Sequence, residues 1–230
     1  MIAFDFGAVL SEWPALLRGA GFTLGLSSVA AAGGLALGVA CGWVRSSASQ
    51  APGQVRGAGF RLLRAVVGAY VELIRNTPFI VQLFFIYFGL PALGVKFSPE
   101  MASILAMVIN LGAYAAEIVR AGIEGTPRGQ VEAARSLALN EWQVFTRVVL
   151  PPALGRVWPA MVSQIVIVML GSAVCGQISA QELSYAANLI QSRNFRAFEA
   201  FIVATLMYLV LSVAVRQALH WAGRRFIFGR

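Results

Sequence analysis

Polar side chains recur inside stretches of this sequence that are otherwise apolar enough to enter a lipid bilayer. Amide and hydroxyl groups at that depth can bind a polar solute, because hydrocarbon offers them no water. The candidates for such a path are Asn76, Thr77, Gln82, Asn110, Tyr114, Ser163, Gln164 and Ser172. The same groups could instead hydrogen-bond neighbouring helices, with Glu72/Arg75 and Glu117/Arg120 as i,i+3 ion pairs at a membrane interface. Their recurrence in three adjacent stretches favours the path.

The residue types argue against most enzymes and against nucleic-acid binding. The chain has one His, and it lacks the clustered His, Asp or Glu that a membrane-embedded enzyme needs. It has no Gly-x-x-x-x-Gly-Lys-Ser/Thr phosphate loop, so no ATP chemistry is expected. Cys41 and Cys175 both lie inside apolar runs, so no metal site is expected, and no bound cofactor either. The net charge is +8, but the basic residues stand at the ends of apolar runs rather than in a patch, so no nucleic-acid partner is expected.

One long polar segment stands apart from the apolar stretches; residues 132–152 read EAARSLALNEWQVFTRVVLPP. Thr126-Pro127 is a typical helix start, with Thr as N-cap and Pro as the first helical residue, and predicts a short amphipathic helix over 127–138. An interfacial helix on anionic lipid would need a basic polar face and large apolar anchors. Here the helix is rich in alanine and alternates Glu132 with Arg135, which favours docking in a groove of a partner protein.

A second helix follows directly. Asn140 and Gln143 stand at capping-box spacing, and apolar residues recur behind them at helical intervals, which predicts a helix over 141–149. Leu150-Pro151-Pro152 is expected to end it, because proline cannot donate to the helical ladder.

The rest of the chain is membrane-like in composition. Hydrophobic residues make up 58% of its 230 residues, charged residues only 12%, and the mean hydropathy is +0.73. A helix needs about 20 mainly apolar residues to cross the hydrocarbon. Five such spans are predicted, at about 19–44, 70–92, 98–118, 155–179 and 198–219. Pro78 should break or kink the second span.

The basic residues predict the orientation. Segments Arg45–Arg75, Arg120–Arg156 and the tail from Arg216 carry fourteen of the eighteen basic residues. By the positive-inside rule these segments are cytoplasmic, which puts the N-terminus outside and the C-terminus inside.

The polar segment resembles the hallmark loop of the permease subunits of bacterial ATP-binding-cassette (ABC) importers, in the polar amino acid branch that includes the histidine and glutamine permeases. That loop reads Glu-Ala-Ala, three residues, Gly, nine residues, Ile, any residue, Leu-Pro. The matching residues here are Glu132, Ala133, Ala134, Ala138, Val148, Leu150 and Pro151. Ala138 replaces the usual Gly and Val148 the usual Ile; both changes are conservative in size, so little effect on docking geometry is expected.

Nearly the whole chain takes part in the resemblance. RGAGFTLGLS at 18–27, ELIRNTPFIVQLFF at 72–85 and GAYAAEIVRAGIEGTPRGQVEAARSL at 112–137 are similar to segments of these permeases, with Asn76 in place of a Gly. Many members carry Lys-Asp-Thr-Ser-Leu in the span after the loop, whereas MLGSAV at 169–174 keeps only Ser172.

The resemblance implies an all-α integral membrane protein with the five-span type I permease fold and a cytoplasmic coupling helix between spans 3 and 4. It implies an outer (periplasmic) N-terminal segment 1–18, a transmembrane domain 19–222 with a coupling loop at 120–152, and a cytoplasmic tail 223–230. The residues that it assigns to ATPase coupling are Glu132, Ala133, Ala134, Ala138, Leu150 and Pro151.

The partners implied are a second permease subunit of the same or a homologous chain, a cytoplasmic ATPase dimer, and a periplasmic or lipid-anchored amino acid binding protein. The substrate would be a polar amino acid and the location the bacterial inner membrane. The chain itself would hydrolyse no ATP. One alternative stays open: a subunit that supports assembly of a heteromeric transport complex without contributing to the path.

Overall fold

The computed structural model describes residues 4–46 and 57–227, and every regular element in these ranges is helical. Parts of three segments predicted from the sequence, namely 1–18, 45–75 and 223–230, lie outside the described residues. The all-helical prediction is confirmed for the part of the chain that the structure describes.

Ten α-helices follow one another along the described chain. They are α1 (Gly7–Leu10), α2 (Trp13–Arg45), α3 (Ala58–Arg75), α4 (Phe79–Phe84), α5 (Pro99–Glu124), α6 (Arg128–Ser136), α7 (Glu141–Gln143), α8 (Leu150–Gly171), α9 (Leu183–Asn194) and α10 (Ala197–Ala222). Wider π-helical turns cover Phe85–Gly89, Val144–Val149 and Gly223–Ile227, and tighter 3-10 helices cover Leu90–Leu93 and Ser172–Ile178.

Within the described residues, four helical stretches are long and apolar enough to cross a membrane. They are Trp13–Arg45, Pro99–Glu124, Glu141–Ile178 and Ala197–Arg225. The broken pair Ala58–Arg75 and Phe79–Leu93 makes a fifth if it is counted as one span. This number agrees with the five predicted spans.

The predicted break at Pro78 is present. Helix α3 ends at Arg75, and Pro78 has extended backbone angles before α4 begins. Helix ends leave carbonyl groups without partners, which is costly in a bilayer. Here the Asn76 amide donates to the Glu72 carbonyl at 2.8 Å, and the Thr77 hydroxyl donates to the Leu73 carbonyl at 2.8 Å. Asn76 has φ −103°, so the Gly usual in the family is not required by the backbone.

The predicted helix end at Leu150-Pro151-Pro152 is wrong. The helix that begins at Glu141 continues through these residues to Gly171. A π-helical turn, Val144–Val149, directly precedes the prolines. This wider turn makes room for the proline rings where an ordinary α-turn would press them against the preceding carbonyls.

The described chain divides into two compact units by its internal contacts. The first unit comprises Met1–Ala32, Pro78–Met107 and Ile165–Gln217; the second comprises Gly33–Thr77, Val108–Gln164 and Ala218–Arg230.

The core of the first unit joins α1, the start of α2, α9 and α10. Its buried residues are Val9, Leu16, Leu183, Ala186, Ala187, Ile190, Ala200, Val203 and Ala204. Gly19 allows this packing, because a Cβ there would lie 3.0 Å from the Leu183 Cα.

In the second unit, the C-terminal half of α2 packs against α5 through a row of glycines four residues apart. A Cβ at Gly38 would lie 2.3 Å from the Ala115 Cβ, and one at Gly42 would lie 2.7 Å from the Ala116 carbonyl oxygen. Small residues at this spacing let two membrane helices approach closely, so that van der Waals contact replaces the hydrophobic effect that lipid cannot supply.

Candidate functional site

The polar segment folds as a helix, a turn and a second helix, but its first helix starts later than predicted. Helix α6 begins at Arg128 with Pro127 as the N-cap residue. The predicted N-cap, Thr126, is buried, and its hydroxyl accepts a hydrogen bond from the Arg156 guanidinium at 3.2 Å. The assignment of Thr126 as N-cap and Pro127 as first helical residue is therefore wrong: Pro127 has the non-helical backbone angles of a cap residue, and the Thr126 hydroxyl contacts Arg156 of α8 instead of the start of α6.

The end of α6 depends on Ala138, which adopts a left-handed conformation with φ +57°. The Ala138 N–H donates to the Arg135 carbonyl at 2.9 Å, and the Leu139 N–H donates to the Ala134 carbonyl at 3.3 Å. This pair of bonds is a Schellman motif, in which glycine is the usual residue at the left-handed position. The replacement of the family's glycine therefore matters through backbone conformation rather than through side-chain size.

We expect Ala138→Gly to stabilise the loop by about 0.5–1 kcal/mol, because glycine removes the Cβ strain of the left-handed conformation at some entropic cost. Hydrogen–deuterium exchange of the Ala138 and Leu139 amides should slow in this variant. The matched control is Ala133→Gly, which places the same residue in a helical conformation and should speed exchange. Faster exchange in Ala138→Gly would contradict the Schellman assignment.

The second helix begins with the predicted capping box. The Asn140 side chain accepts from the Gln143 N–H at 2.9 Å, and the Gln143 side chain accepts from the Asn140 N–H at 3.0 Å. A two-pronged ion pair holds the turn: Arg135 Nε lies 2.9 Å from Glu141 Oε1, and Arg135 Nη2 lies 3.1 Å from Glu141 Oε2. The Glu141 carboxylate also raises the pKa of Arg135 above its ordinary value.

The six residues predicted to couple to an ATPase differ in exposure. Glu132, Ala133, Ala138 and Pro151 are exposed, Leu150 is half-buried and Ala134 is buried. Glu132 forms no ion pair among the residues that the structure describes. Leu137 and Trp142 are also exposed, at 76% and 70%. The surface of the loop therefore carries the Glu132 carboxylate, small residues and two large apolar side chains. Leu137 and Trp142 were not among the residues predicted to couple to an ATPase.

The candidate path residues fall into both units. Six belong to the second unit, namely Asn76, Thr77, Asn110, Tyr114, Ser163 and Gln164, and two belong to the first, namely Gln82 and Ser172. Gln82, Asn110 and Ser172 are buried, whereas Asn76 and Ser163 are exposed. The Ser172 hydroxyl donates to the Met169 carbonyl at 2.6 Å. Asn76 and Thr77 close the end of α3, so these residues have a structural role in addition to any role in a path.

A cluster of charges gathers at the ends of α2, α3 and α5 in the second unit. Glu117 Oε2 lies 3.1 Å from Arg45 Nη1 and 3.9 Å from Arg75 Nη1, and Arg120 pairs with Glu117 Oε1. Of the two i,i+3 ion pairs named as the alternative to a path, Glu117/Arg120 is present and Glu72/Arg75 does not form among the described residues. Arg45 Nη2 lies 3.5 Å from Glu72 Oε1 instead, and Arg75 faces Glu117, with its guanidinium carbon 5.7 Å from the centroid of the Tyr114 ring.

A buried carboxylate in the first unit, Glu182, was not predicted from the sequence. Glu182 is 0% exposed and is the N-cap of α9, accepting from the Ser184 and Tyr185 N–H groups at 2.9 and 2.7 Å. Tyr208 of α10 also donates its hydroxyl to this carboxylate. The signal available in the sequence was an acidic residue just before an apolar helix, in a stretch otherwise free of charge.

The described helices that are long and apolar enough to cross a membrane, together with the capped two-helix loop, fit a membrane transport subunit. Residues 57–228 match the family described as binding-protein-dependent transport system inner membrane component, and the chain belongs to that family. It is therefore a transport permease subunit and not an enzyme.

Individual relatives align with this chain over most of its length. The glutamine transport system permease protein GlnP of Escherichia coli strain K12 is 32% identical over 224 residues, covering 96% of this chain and 97% of the relative. The probable glutamine ABC transporter permease protein GlnM of Bacillus subtilis strain 168 is 33% identical over 203 residues, covering 88% and 89%.

The fold also matches a solved structure. A chain of a crystal structure described as an amino acid ABC transporter with histidines superimposes with a TM-score of 0.85 at 30% identity, covering 98% of this chain and 100% of that one. The chain thus has the type I ABC importer permease fold, as predicted.

Proposed function

We propose that this chain is the membrane-spanning subunit of an ATP-driven importer of polar amino acids. The observation that carries the proposal is its similarity, over almost its full length, to a glutamine permease and to a chain of an amino acid transporter. The exposed two-helix loop supports it further, since a subunit without a phosphate loop of its own needs a surface through which an ATPase can act.

The coupling contact is assigned to the exposed face of α6. Glu132 and Ala133 lie on this face, and Leu137 and Trp142 are exposed beside the turn that follows. A small, exposed helix surface lets a partner approach closely, while the two large apolar side chains give it area to bury. The ion pair between Arg135 and Glu141 links the two helices of the loop across the turn.

The proposed complex contains two permease subunits, two ATPase subunits at the cytoplasmic loops, and an external binding protein that delivers the amino acid. ATP-driven closure of the ATPase pair would bring the two coupling loops together and rock the permease between inward-open and outward-open states. The proposed orientation has the N-terminus outside and the C-terminus in the cytoplasm, as the distribution of basic residues predicts.

The path is assigned to the polar side chains of the central spans. Ser163 supports this assignment best, because an exposed hydroxyl on an apolar helix is better placed toward a wet cavity than toward lipid. Asn110 and Tyr114 also support it, because they are about one turn apart on α5 and therefore lie on the same helix face.

The test is ATP hydrolysis by the reconstituted complex. We expect the permease, purified with its ATPase and placed in liposomes, to hydrolyse ATP about 5- to 150-fold faster when binding protein and its amino acid are both present, the range that a coupling free energy of about 1–3 kcal/mol corresponds to. Uptake of labelled amino acid should rise in parallel. Hydrolysis that responds to neither addition would refute the proposal and favour a subunit that only assists assembly.

A further inference from the structure

Glu182 lies in the first unit, at the meeting point of four chain segments. Each oxygen of its carboxylate is reached by two donors. Oε1 accepts from the Tyr185 N–H and the Ser184 hydroxyl, both at 2.7 Å; Oε2 accepts from the Ser184 N–H at 2.9 Å and from the Tyr208 hydroxyl. No ion pair to Glu182 occurs within residues 4–46 and 57–227. Within the described residues, the buried carboxylate is therefore stabilised by hydrogen bonds and not by an ion pair.

The contacts continue from Glu182 into the 3-10 segment Ser172–Ile178. The Ser184 Oγ lies 2.7 Å from Glu182 Oε1 and 2.8 Å from the Ala173 carbonyl oxygen, so its single hydrogen is shared between these two acceptors. Gly176 packs directly on the carboxylate, because a Cβ there would lie 2.7 Å from Glu182 Oε1. A larger residue at Gly176 would therefore displace the carboxylate.

Two further helices form hydrogen bonds at this junction. Tyr208 of α10 donates its hydroxyl hydrogen to the Glu182 carboxylate, and the Thr23 hydroxyl of α2 accepts from the Leu183 N–H at 3.1 Å. The first three N–H groups of α9, those of Leu183, Ser184 and Tyr185, would otherwise lack a partner, because a helix leaves its first N–H groups without an acceptor of its own. The carboxylate and Thr23 therefore fix where α9 begins, and Ser184 fixes where the 3-10 segment lies against α9.

We propose that Glu182 is a positioning residue for transport: through Ser184 it holds the 3-10 segment Ser172–Ile178 in register with α9. This segment continues the fourth span and carries Ser172, one of the candidate path residues. The inference rests on the proposed function, because it assumes that the 3-10 segment Ser172–Ile178 borders the path and adds that Glu182 keeps this segment in place. Glu182 itself contacts no solute, since it is fully buried.

Glutamine is a poor substitute at this site. Whichever side the amide nitrogen of the Glu182→Gln variant took, it would face a backbone N–H group, that of Tyr185 or that of Ser184. One helix N–H would then lose its acceptor, although the side chain keeps its shape. Glu182→Gln is consequently informative about the carboxylate rather than about packing.

The sharpest variant is Ser184→Ala, which cuts the link to Ala173 but leaves both backbone N–H bonds to Glu182 in place. We expect amide exchange in residues 173–180 to rise about tenfold and the maximal uptake rate to fall about tenfold, the equivalent of one lost hydrogen bond. The KM for loaded binding protein should change less than about twofold, because the binding surface is unaltered. Ser184→Thr, which keeps the hydroxyl, should restore both readouts, and Glu182→Gln should behave like Ser184→Ala.

The matched control is Ser212→Ala on α10. The Ser212 hydroxyl donates to the Leu209 carbonyl of its own helix at 2.9 Å and so makes no link to another element. This variant should leave exchange in residues 173–180 and uptake unchanged.

Amide exchange is measured on the purified complex and needs no substrate. It therefore tests the positioning role of Glu182 even if the wild-type complex imports no amino acid and the proposed function fails. Wild-type exchange and uptake in Ser184→Ala, or equal losses in Ser184→Ala and Ser184→Thr, would overturn the inference.

Discussion

Replacing Glu132 by alanine or lysine is expected to reduce coupled uptake at least about tenfold while leaving the subunit inserted and assembled, since a hydrogen bond to a charged group contributes about 1.5–3 kcal/mol. Glu132 is exposed on α6 and forms no ion pair within the described residues. The neighbouring arginine, Arg135, is already held by Glu141. The carboxylate of Glu132 is therefore available to a donor on the ATPase. The measurement is the amount of amino acid taken up per ATP hydrolysed in proteoliposomes, and both Glu132 variants should lower it.

The control for this prediction is Gln130→Ala. Gln130 is exposed on the same helix but lies two residues earlier, which turns its side chain about 200° away from Glu132. It should keep wild-type coupling and so separate a contact from a general loss of loop structure. Lysine at 132 should be worse than alanine, because it sets a like charge against the proposed donor. Coupled uptake at the wild-type rate in both Glu132 variants would remove Glu132 from the coupling surface.

Replacing Glu117 by glutamine is expected to destabilise the second unit by about 2 kcal/mol, below the roughly 3–5 kcal/mol of a fully buried pair because its side chain is 22% exposed. The change keeps the shape of the side chain and removes its charge. Arg45, Arg75 and Arg120 would then share a neutral partner at the ends of three helices. Thermal unfolding of the purified subunit should shift down by about 4–8 °C for a chain of this size.

Glu124→Gln is the matched control for that measurement. Glu124 also pairs with Arg120, but its side chain is 37% exposed, and the structure gives it no second arginine among the described residues. Exposed pairs contribute about 1 kcal/mol or less, so this variant should shift the unfolding temperature by less than half as much. Equal shifts in the two variants would mean that the three-arginine arrangement around Glu117 adds nothing to stability.

The features that were predicted correctly from the sequence are local along the chain. The break at Pro78 follows from a missing backbone donor, and the Asn140–Gln143 capping box follows from two side chains three residues apart. The spans follow from hydropathy, because a bilayer requires a continuous apolar run whatever the helix packs against. The loop motif at 132–151 was specific enough to indicate the family before any geometry was known.

Two local expectations failed for one reason, which is that a distant part of the chain changed a local preference. Arg156 of α8 takes the hydroxyl that would have made Thr126 an N-cap. Arg45 of α2 takes Glu72, which frees Arg75 for Glu117. The failed helix end at Pro151 has a local cause: a π-helical turn just before it carries the helix past the proline and joins the loop to the next span. The left-handed Ala138 is also a local feature, and side-chain volume does not reveal its backbone dihedral.

By itself the sequence determined that the chain is a helical membrane protein with a capped polar excursion, since composition, hydropathy and capping act within a few turns of helix. Only the tertiary structure decided which charges pair around Glu117 and that Glu182 is held at a junction of four segments. Thr23 and Leu183, which meet there through a hydrogen bond, are 160 residues apart in the chain. Partners at that separation are selected by packing, because a buried polar group must find whichever donor the fold brings to it.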